Sequence, residues 1–263
     1  MAEPLSPRGT VRIVADGAEL ARAAAEEVVR LATDAINTVG ARGRFTFVLS
    51  GGSTPRSLFQ LLADPNDSFR DRIDWSAVHV FWGDERCVSP DHPDSNYRMA
   101  REALLDHVPI PADHVHRIAA EDPDPDNAAA RYDAELEAFF SLAGGEMPRF
   151  DLILLGLGPD GHTASLFPGN AAVHESQRRV IAPFVAKFNA HRITLTPPVI
   201  NHAAAVIFLV SGEEKAAALA AVLEGEPQVD LYPAQIVRPD GGTHGTLLWL
   251  ADRAAAQRLT RTS

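Results

Sequence analysis

The chain of 263 residues carries a single cysteine, Cys87. One thiol excludes an internal disulfide and fits a reducing compartment, so a cytoplasmic protein is expected. No apolar stretch approaches the ~20 residues that a membrane-spanning helix needs. Phe150 to Leu157 and Ala203 to Val210 have the length of buried strands instead. Met1 to Thr10 holds prolines and charges but no apolar run, which argues against a secretory signal. Basic residues are in the minority, 24 against 35 acidic ones, for a net charge of -11. That balance repels nucleic acid and confines any phosphate binding to a local site. The ten histidines show no His-x-x-x-His or His-x-Glu pattern with cysteines, so no metal site is expected. His114 and His116, two apart, read as a strand or loop feature.

What is present is ordinary for a globular protein, 46% hydrophobic and 22% charged residues, enough to bury a full core. Short β-rich runs alternate with helical patterns. Val11–Val14 reads as a first strand, followed by Asp16-Gly17-Ala18-Glu19, an acid-x-x-Glu helix start. Leu20, Ala24, Val28, Leu31 and Ala35 then recur at steps of three and four, one face of a helix. Further strands are expected at Phe45–Leu49, Val78–Trp82, Asp151–Leu155, Arg192–Leu195, Ala205–Val210 and Thr246–Leu250. Helices are expected at Pro55–Leu62, Ser95–Leu105, Asn127–Leu142 and Glu213–Leu223. Strands apolar on both faces and separated by helices predict an α/β fold, a mostly parallel central sheet with helices on both faces. Neither Ala120–Asn127 nor Gly144–Pro148 is long enough for a linker, and no repeat is visible. One domain, residues 1–263, is the simplest organisation.

In open α/β sheets, ligands sit beyond the carboxyl ends of the strands, and three strands end in chemically loaded turns. Leu49 leads into Ser50-Gly51-Gly52-Ser53-Thr54-Pro55. Paired glycines allow close backbone approach to a ligand, Ser53 and Thr54 offer hydroxyls, one of them suited to cap the next helix, and Pro55 suits a first helical position. The free N–H groups at a helix start favour an anion. An ordinary glycine turn with an N-cap explains the same residues. The loop lacks the Gly-Lys-Ser/Thr ending of a nucleotide P-loop. It also resembles a nucleophile elbow with its last glycine replaced by proline, which would make Ser53 the nucleophile of a serine esterase.

Trp82 leads into Gly83-Asp84-Glu85-Arg86, three charges directly after an apolar strand. Arg86 suits a phosphate or sugar oxygen, and Asp84 suits a histidine or sugar hydroxyls. Asp94 and Ser95 read as helix caps. Leu155 leads into Gly156-Leu157-Gly158-Pro159-Asp160-Gly161-His162-Thr163. The glycines match a dinucleotide fingerprint in spacing, but Pro168-Gly169 interrupts the helix such a fold requires. His162 stands among glycines at the start of an expected short helix, two residues from Asp160. A free imidazole titrates near ~6.5, suited to a general base around neutrality.

These turns, taken in order, resemble the 6-phosphogluconolactonases. The resemblance rests on Leu49 to Pro55, Gly83 to Arg86, Ser95-Asn96 and Gly156 to Phe167. It extends through Arg192 to Thr196, Asn201, Ser211-Gly212 with Lys215, and Pro233-Ala234, covering nearly the whole chain after about residue 10. The glucosamine-6-phosphate deaminases are similar too, but they carry a glutamate where this chain has Phe167. The resemblance implies a modified Rossmann-like fold, of the phosphosugar isomerase/deaminase type. It implies hydrolysis of 6-phospho-D-glucono-1,5-lactone to 6-phospho-D-gluconate, in the oxidative pentose phosphate pathway, with no cofactor or metal. The partner is then a phosphorylated sugar lactone, with neither nucleic acid nor membrane involved, and a monomer or small homo-oligomer is expected. His162 is expected to activate water, with Asp84 or Asp160 orienting its ring. Backbone N–H groups near Gly158–His162, Arg86 or a lysine stabilise the oxyanion. Phosphate is expected on Gly51, Gly52, Ser53 and Thr54, with Arg192 and Lys187 or Arg86 supplying charge. A deaminase-like enzyme, a Ser53 esterase and a non-catalytic phosphosugar-binding module are the alternatives.

Overall fold

A computed structural model describes residues 9–37, 43–239 and 245–260; most of Met1–Thr10 lies outside them. The chain opens with β1 (Thr10–Val14) and α1 (Gly17–Asn37), then β2 (Phe45–Leu49) and α2 (Ser53–Ala63). There follow β3 (Val78–Trp82), β4 (Asp84–Arg86), α3 (Asn96–Ala103), β5 (Val115–His116), α4 (Pro125–Phe140) and β6 (Leu152–Gly156). The last part holds β7 (Val180–Ile181), β8 (Phe184–Val185), β9 (Ala190–Leu195), α5 (Pro197–Asn201), β10 (Ala205–Val210), α6 (Ala216–Glu224), β11 (Thr246–Asp252) and α7 (Arg253–Ala256).

Seven strands form the central sheet in the order β1-β11-β10-β6-β2-β3-β5. Every neighbouring pair in it is parallel, stricter than the mostly parallel sheet expected. The reason lies in the sequence: β2 is Phe-Thr-Phe-Val-Leu and β10 Ala-Val-Ile-Phe-Leu-Val, both buried at every position. Such strands need cover on both faces, which helical crossovers supply. Buried side chains such as Phe208 and Trp249, stacked with ring centres 3.7 Å apart, contribute about 1.5–3 kcal/mol each through removal from water.

Polar clips fix the register where burial alone would not. Thr46 donates from its backbone N and its Oγ1 to Asp151 Oδ2, at 2.8 and 2.7 Å, tying β2 to the residue before β6. The Tyr132 hydroxyl accepts from Trp82 N at 3.0 Å and donates to Trp82 O at 3.1 Å, anchoring α4 at the carboxyl end of β3. The start of α1 follows the expected signal: Asp16 Oδ1 accepts from the N–H groups of Ala18 and Glu19, and Glu19 accepts from Ala15 N.

Three expectations need correction. Arg192–Leu195 belongs to β9 in a second, antiparallel sheet of order β4-β9-β7, with β8 also paired to β9, not to the central sheet. Asp84–Arg86, read as a turn, is the edge strand β4 of that sheet. Gly83 is the junction, donating to Leu49 O and accepting from Leu195 N. Lastly, α2 begins at Ser53, so Pro55 is its third residue, and its N-cap Gly52 (φ +108°) has no side-chain cap. Gly52 occupies a left-handed region that glycine adopts at little cost.

A candidate phosphosugar site

The loops at the carboxyl ends of β2, β3, β6 and β10 converge on one cleft of about 250 Å³. Ser50 to Pro55 form one wall, Asp84, Arg86 and Asn96 another, Gly156 to Pro159 with His162 and Ala164 the floor, and Ser211, Glu214 and Lys215 the far side. No side chain caps α2, and Ser53 and Thr54, its first two residues, form part of the cleft wall. A Cβ at position 51 would overlap the amide oxygen of Asn96, so only glycine lets the loop lie this close to α3.

The second wall is set by buried acids. Glu85 is 3% exposed and accepts from the backbone N–H groups of Arg86, Asn96 and Tyr97 and from the Ser95 hydroxyl. It therefore closes the amino end of α3 together with Ser95, which accepts from Arg98 N at 3.1 Å. Burial pushes the Glu85 carboxyl above its ordinary value, against the pull of those backbone donors. Among the described residues Asp84 meets no histidine. Its carboxylate accepts from Ser165 Oγ at 2.7 Å and Asn96 Nδ2 at 3.2 Å, which locks β4 to the segment after His162.

His162 is not at a helix start. It sits in a tight turn in which Gly158 N donates to His162 O and Gly161 N to Gly158 O, both at 2.9 Å. Helix formation fails because the chain needs φ +79° at Gly161, where a Cβ would press on Tyr232. With His162 N directed at Asp160 Oδ1, the N–H groups of Gly158, Gly161 and His162 are all engaged within the turn. Beside these backbone groups, the cations Arg86 and Lys215 line the cleft.

The His162 ring donates through Nδ1 to Asp160 Oδ1. Lys187 Nζ lies 2.8 Å from the other oxygen, Asp160 Oδ2. Burial alone raises the Asp160 carboxyl, but Lys187 and His162 outweigh it and hold it well below the usual carboxylate range. An ionised carboxylate only accepts, so Nδ1 is the donor of this bond and Nε2 is the ring nitrogen turned away from Asp160. Phe167 lies against the face of the His162 ring, centres 4.2 Å apart at 24°.

The candidates thus separate. Gly51, Gly52, Ser53, Thr54, Asp84, Arg86 and His162 line the cleft together. Asp160 stands behind His162, and Lys187 behind Asp160. Arg192 pairs across the small sheet with Arg86, its guanidinium 4.9 Å from the Phe188 ring centre and outside the cleft lining. Burial, and then Arg86, lower its ordinarily high pKa. Sequence reasoning placed Asn96, Ser165 and Lys215 in the resembling motifs but gave none of them a role, whereas Asn96 and Ser165 hold Asp84. The Ser95-Asn96 pair beside an acid-rich turn was the available signal.

An all-parallel sheet of this order, with its carboxyl-end loops gathered on one polar cleft, defines a phosphosugar isomerase-like α/β protein. The chain belongs to the family described as glucosamine-6-phosphate isomerases/6-phosphogluconolactonase, whose model matches residues 15–249. It is 46% identical over 219 residues to a protein of Nostoc sp. named 6-phosphogluconolactonase, covering 83% of this chain and 86% of that one. A protein of the same name from Synechocystis sp. is 44% identical over 232 residues, 88% of this chain and 92% of the other. The solved 6-phosphogluconolactonase from Trypanosoma cruzi superposes with a TM-score of 0.82 at 30% identity, covering 99% of this chain and 100% of that one.

Proposed function

We propose that this chain hydrolyses 6-phospho-D-glucono-1,5-lactone to 6-phospho-D-gluconate. The observation that carries the reading is His162, backed by Asp160, lining the same cleft as the glycine loop 51–54. A lactone carbonyl is already electrophilic, so hydrolysis asks for an anchored substrate, a base and charge stabilisation. The sugar phosphate binds to backbone N–H groups at the start of α2 and to the Ser53 and Thr54 hydroxyls, its other end directed to His162. Nε2 of His162 takes a proton from water as the water attacks C1. The Asp160 carboxylate stabilises the resulting imidazolium, and the ring returns the proton to the departing ring oxygen. Arg86 and Lys215 supply the positive charge that the phosphate and the developing oxyanion need.

Two observations weigh against the alternatives. Among the described residues no hydrogen bond joins the Ser53 hydroxyl to a base, which an esterase nucleophile requires. Where the deaminases carry a glutamate, Phe167 packs face-on against His162 and offers no proton. Initial rates on freshly made lactone, corrected for spontaneous hydrolysis, test the reading. Ser53→Ala is expected to raise KM roughly three- to thirtyfold with kcat nearly unchanged. Loss of turnover at saturating substrate would instead identify Ser53 as the nucleophile.

A further inference from the structure

The connection between β8 and β9 reaches the catalytic turn through two consecutive side chains. It is a single 3₁₀ turn, Ala186–Phe188, closed by Asn189 in the left-handed region at φ +48°. Lys187 and Phe188 are both about half exposed, Lys187 with 53% of its side chain accessible and Phe188 47% exposed. On an ordinary surface turn such residues extend into solvent. Here Lys187 Nζ lies 2.8 Å from Asp160 Oδ2, whose other oxygen meets the His162 ring. The Phe188 ring meets Phe167 edge-on, centres 5.6 Å apart at 75°, and Phe167 in turn lies on the face of His162. The Arg192 guanidinium packs over Phe188, 4.9 Å from its ring centre. One short turn therefore touches both supports of His162, the carboxylate behind its Nδ1 and the aromatic ring on its face.

We propose that the 186–188 turn is a positioning element for the reaction, with Lys187 holding Asp160 in register on His162 and Phe188 backing Phe167. The inference rests on His162 being the base, and it gives Lys187 a role other than phosphate ligand. Asp160 is part-exposed, so its carboxylate has room to turn about its own bond while it stays beside the ring. A cation on the far oxygen selects the orientation in which the near oxygen accepts from Nδ1. It also offsets the negative charge that the carboxylate presents to the ring. The other charged groups lining the cleft are Asp84 and Arg86 from β4, and Glu214 and Lys215 from the segment after β10. They remain in place when Lys187 is changed. Asp160 also keeps its tether to His162 N at 3.3 Å, so the carboxylate stays beside the ring without the lysine.

The test is the pH dependence of kcat and KM in Lys187→Met, Lys187→Arg and Phe188→Ala, beside His162→Gln. For Lys187→Met the acid limb of kcat/KM moves to higher pH. Activity near pH 6 falls roughly three- to tenfold and comes within about twofold of wild type near pH 8.5. KM at the alkaline end stays within about twofold, and Lys187→Arg restores most of the lost activity. Phe188→Ala lowers kcat about two- to threefold without raising KM. A Lys187→Met protein with a raised KM at every pH and an unmoved acid limb overturns the proposal and makes Lys187 a phosphate ligand. A fully active His162→Gln defeats the base assignment itself. An inactive His162→Gln with an unmoved Lys187→Met profile defeats only the positioning role.

Discussion

His162 lies beyond the carboxyl end of its strand and His79 near the amino end of its own, and their electrostatic settings are opposite. His162 follows the carboxyl end of β6 and has a carboxylate on one nitrogen and the cleft beside it. His79 is the second residue of β3, stacked on His114 with ring centres 3.7 Å apart and 3.2 Å from His116 Nε2 through its own Nδ1. His116 passes the chain on to Glu135, 2.8 Å away. Burial first, then His114, His116 and Arg44, push His79 down to about 4 despite Asp113. One ring meets a carboxylate at the edge of a cleft, and the other, buried among rings, is arranged to remain without a proton. Chemistry therefore follows from the neighbour on the far nitrogen, and gathering histidines does not by itself make a reactive site.

The largest test of that contrast is a matched pair. His162→Gln is expected to lower kcat about 10²–10⁴-fold with unfolding temperature nearly unchanged, as removal of a general base does. His79→Gln should leave kcat within about twofold while lowering stability. Steady-state rates and thermal melts on both proteins decide the matter. Equal kinetic losses would show that the two histidines are not divided into catalytic and structural roles.

A smaller effect is expected from the backbone under His162. A Cβ on Gly158 would overlap Nδ1 of His162 and approach Asp160 Oδ1 to 2.7 Å, so Gly158→Ala must displace the ring or its partner. Misplacing a base by about 1 Å typically costs up to ~10²-fold. Gly158→Ala is expected to lose roughly ten- to a hundredfold in kcat, while Gly144→Ala, where a Cβ meets nothing within 4 Å, stays near wild type. Wild-type kcat in Gly158→Ala would mean that the Asp160–His162 alignment is not critical.

The same contrast explains what the sequence disclosed. Central strands such as Phe45–Leu49 and Ala205–Val210 were legible because burial on both faces leaves an unbroken apolar run. The three loaded turns were legible because strand ends in a parallel sheet face one side. Sheet membership was not: Arg192–Leu195 has strand chemistry, but periodicity says nothing of the partner, and that partner is the charged segment Asp84–Arg86. β5, β7 and β8 are two residues each, too short for any period. Lys187 was legible as a cation near the site but not as the neighbour of Asp160, because that pairing spans 27 residues and depends on the left-handed turn at Asn189. His79 drew no attention, since its ring contacts at 114 and 116 arise only when β5 docks beside β3.

The smallest effect concerns stability against pH, and its sign follows from His79. The folded value of about 4 lies below the ~6.5 of an unfolded imidazole, so between the two the unfolded chain binds more protons. The stabilisation is complete above about pH 6.5 and is lost as the pH falls toward about 4. Since His79 keeps partial contact with solvent, the loss is discounted to on the order of 1–2 kcal/mol. His79→Phe preserves a flat ring beside His114 and removes the titrating group. Its urea midpoint should fall less than that of wild type between about pH 7.5 and about pH 4.5, even though its midpoint at the higher pH is lower through loss of the bond to His116. Parallel pH dependences in the two proteins would mean that acid sensitivity resides in other groups. His79 would then be a packing residue whose ring could be any aromatic, and the contrast with His162 would reduce to position alone.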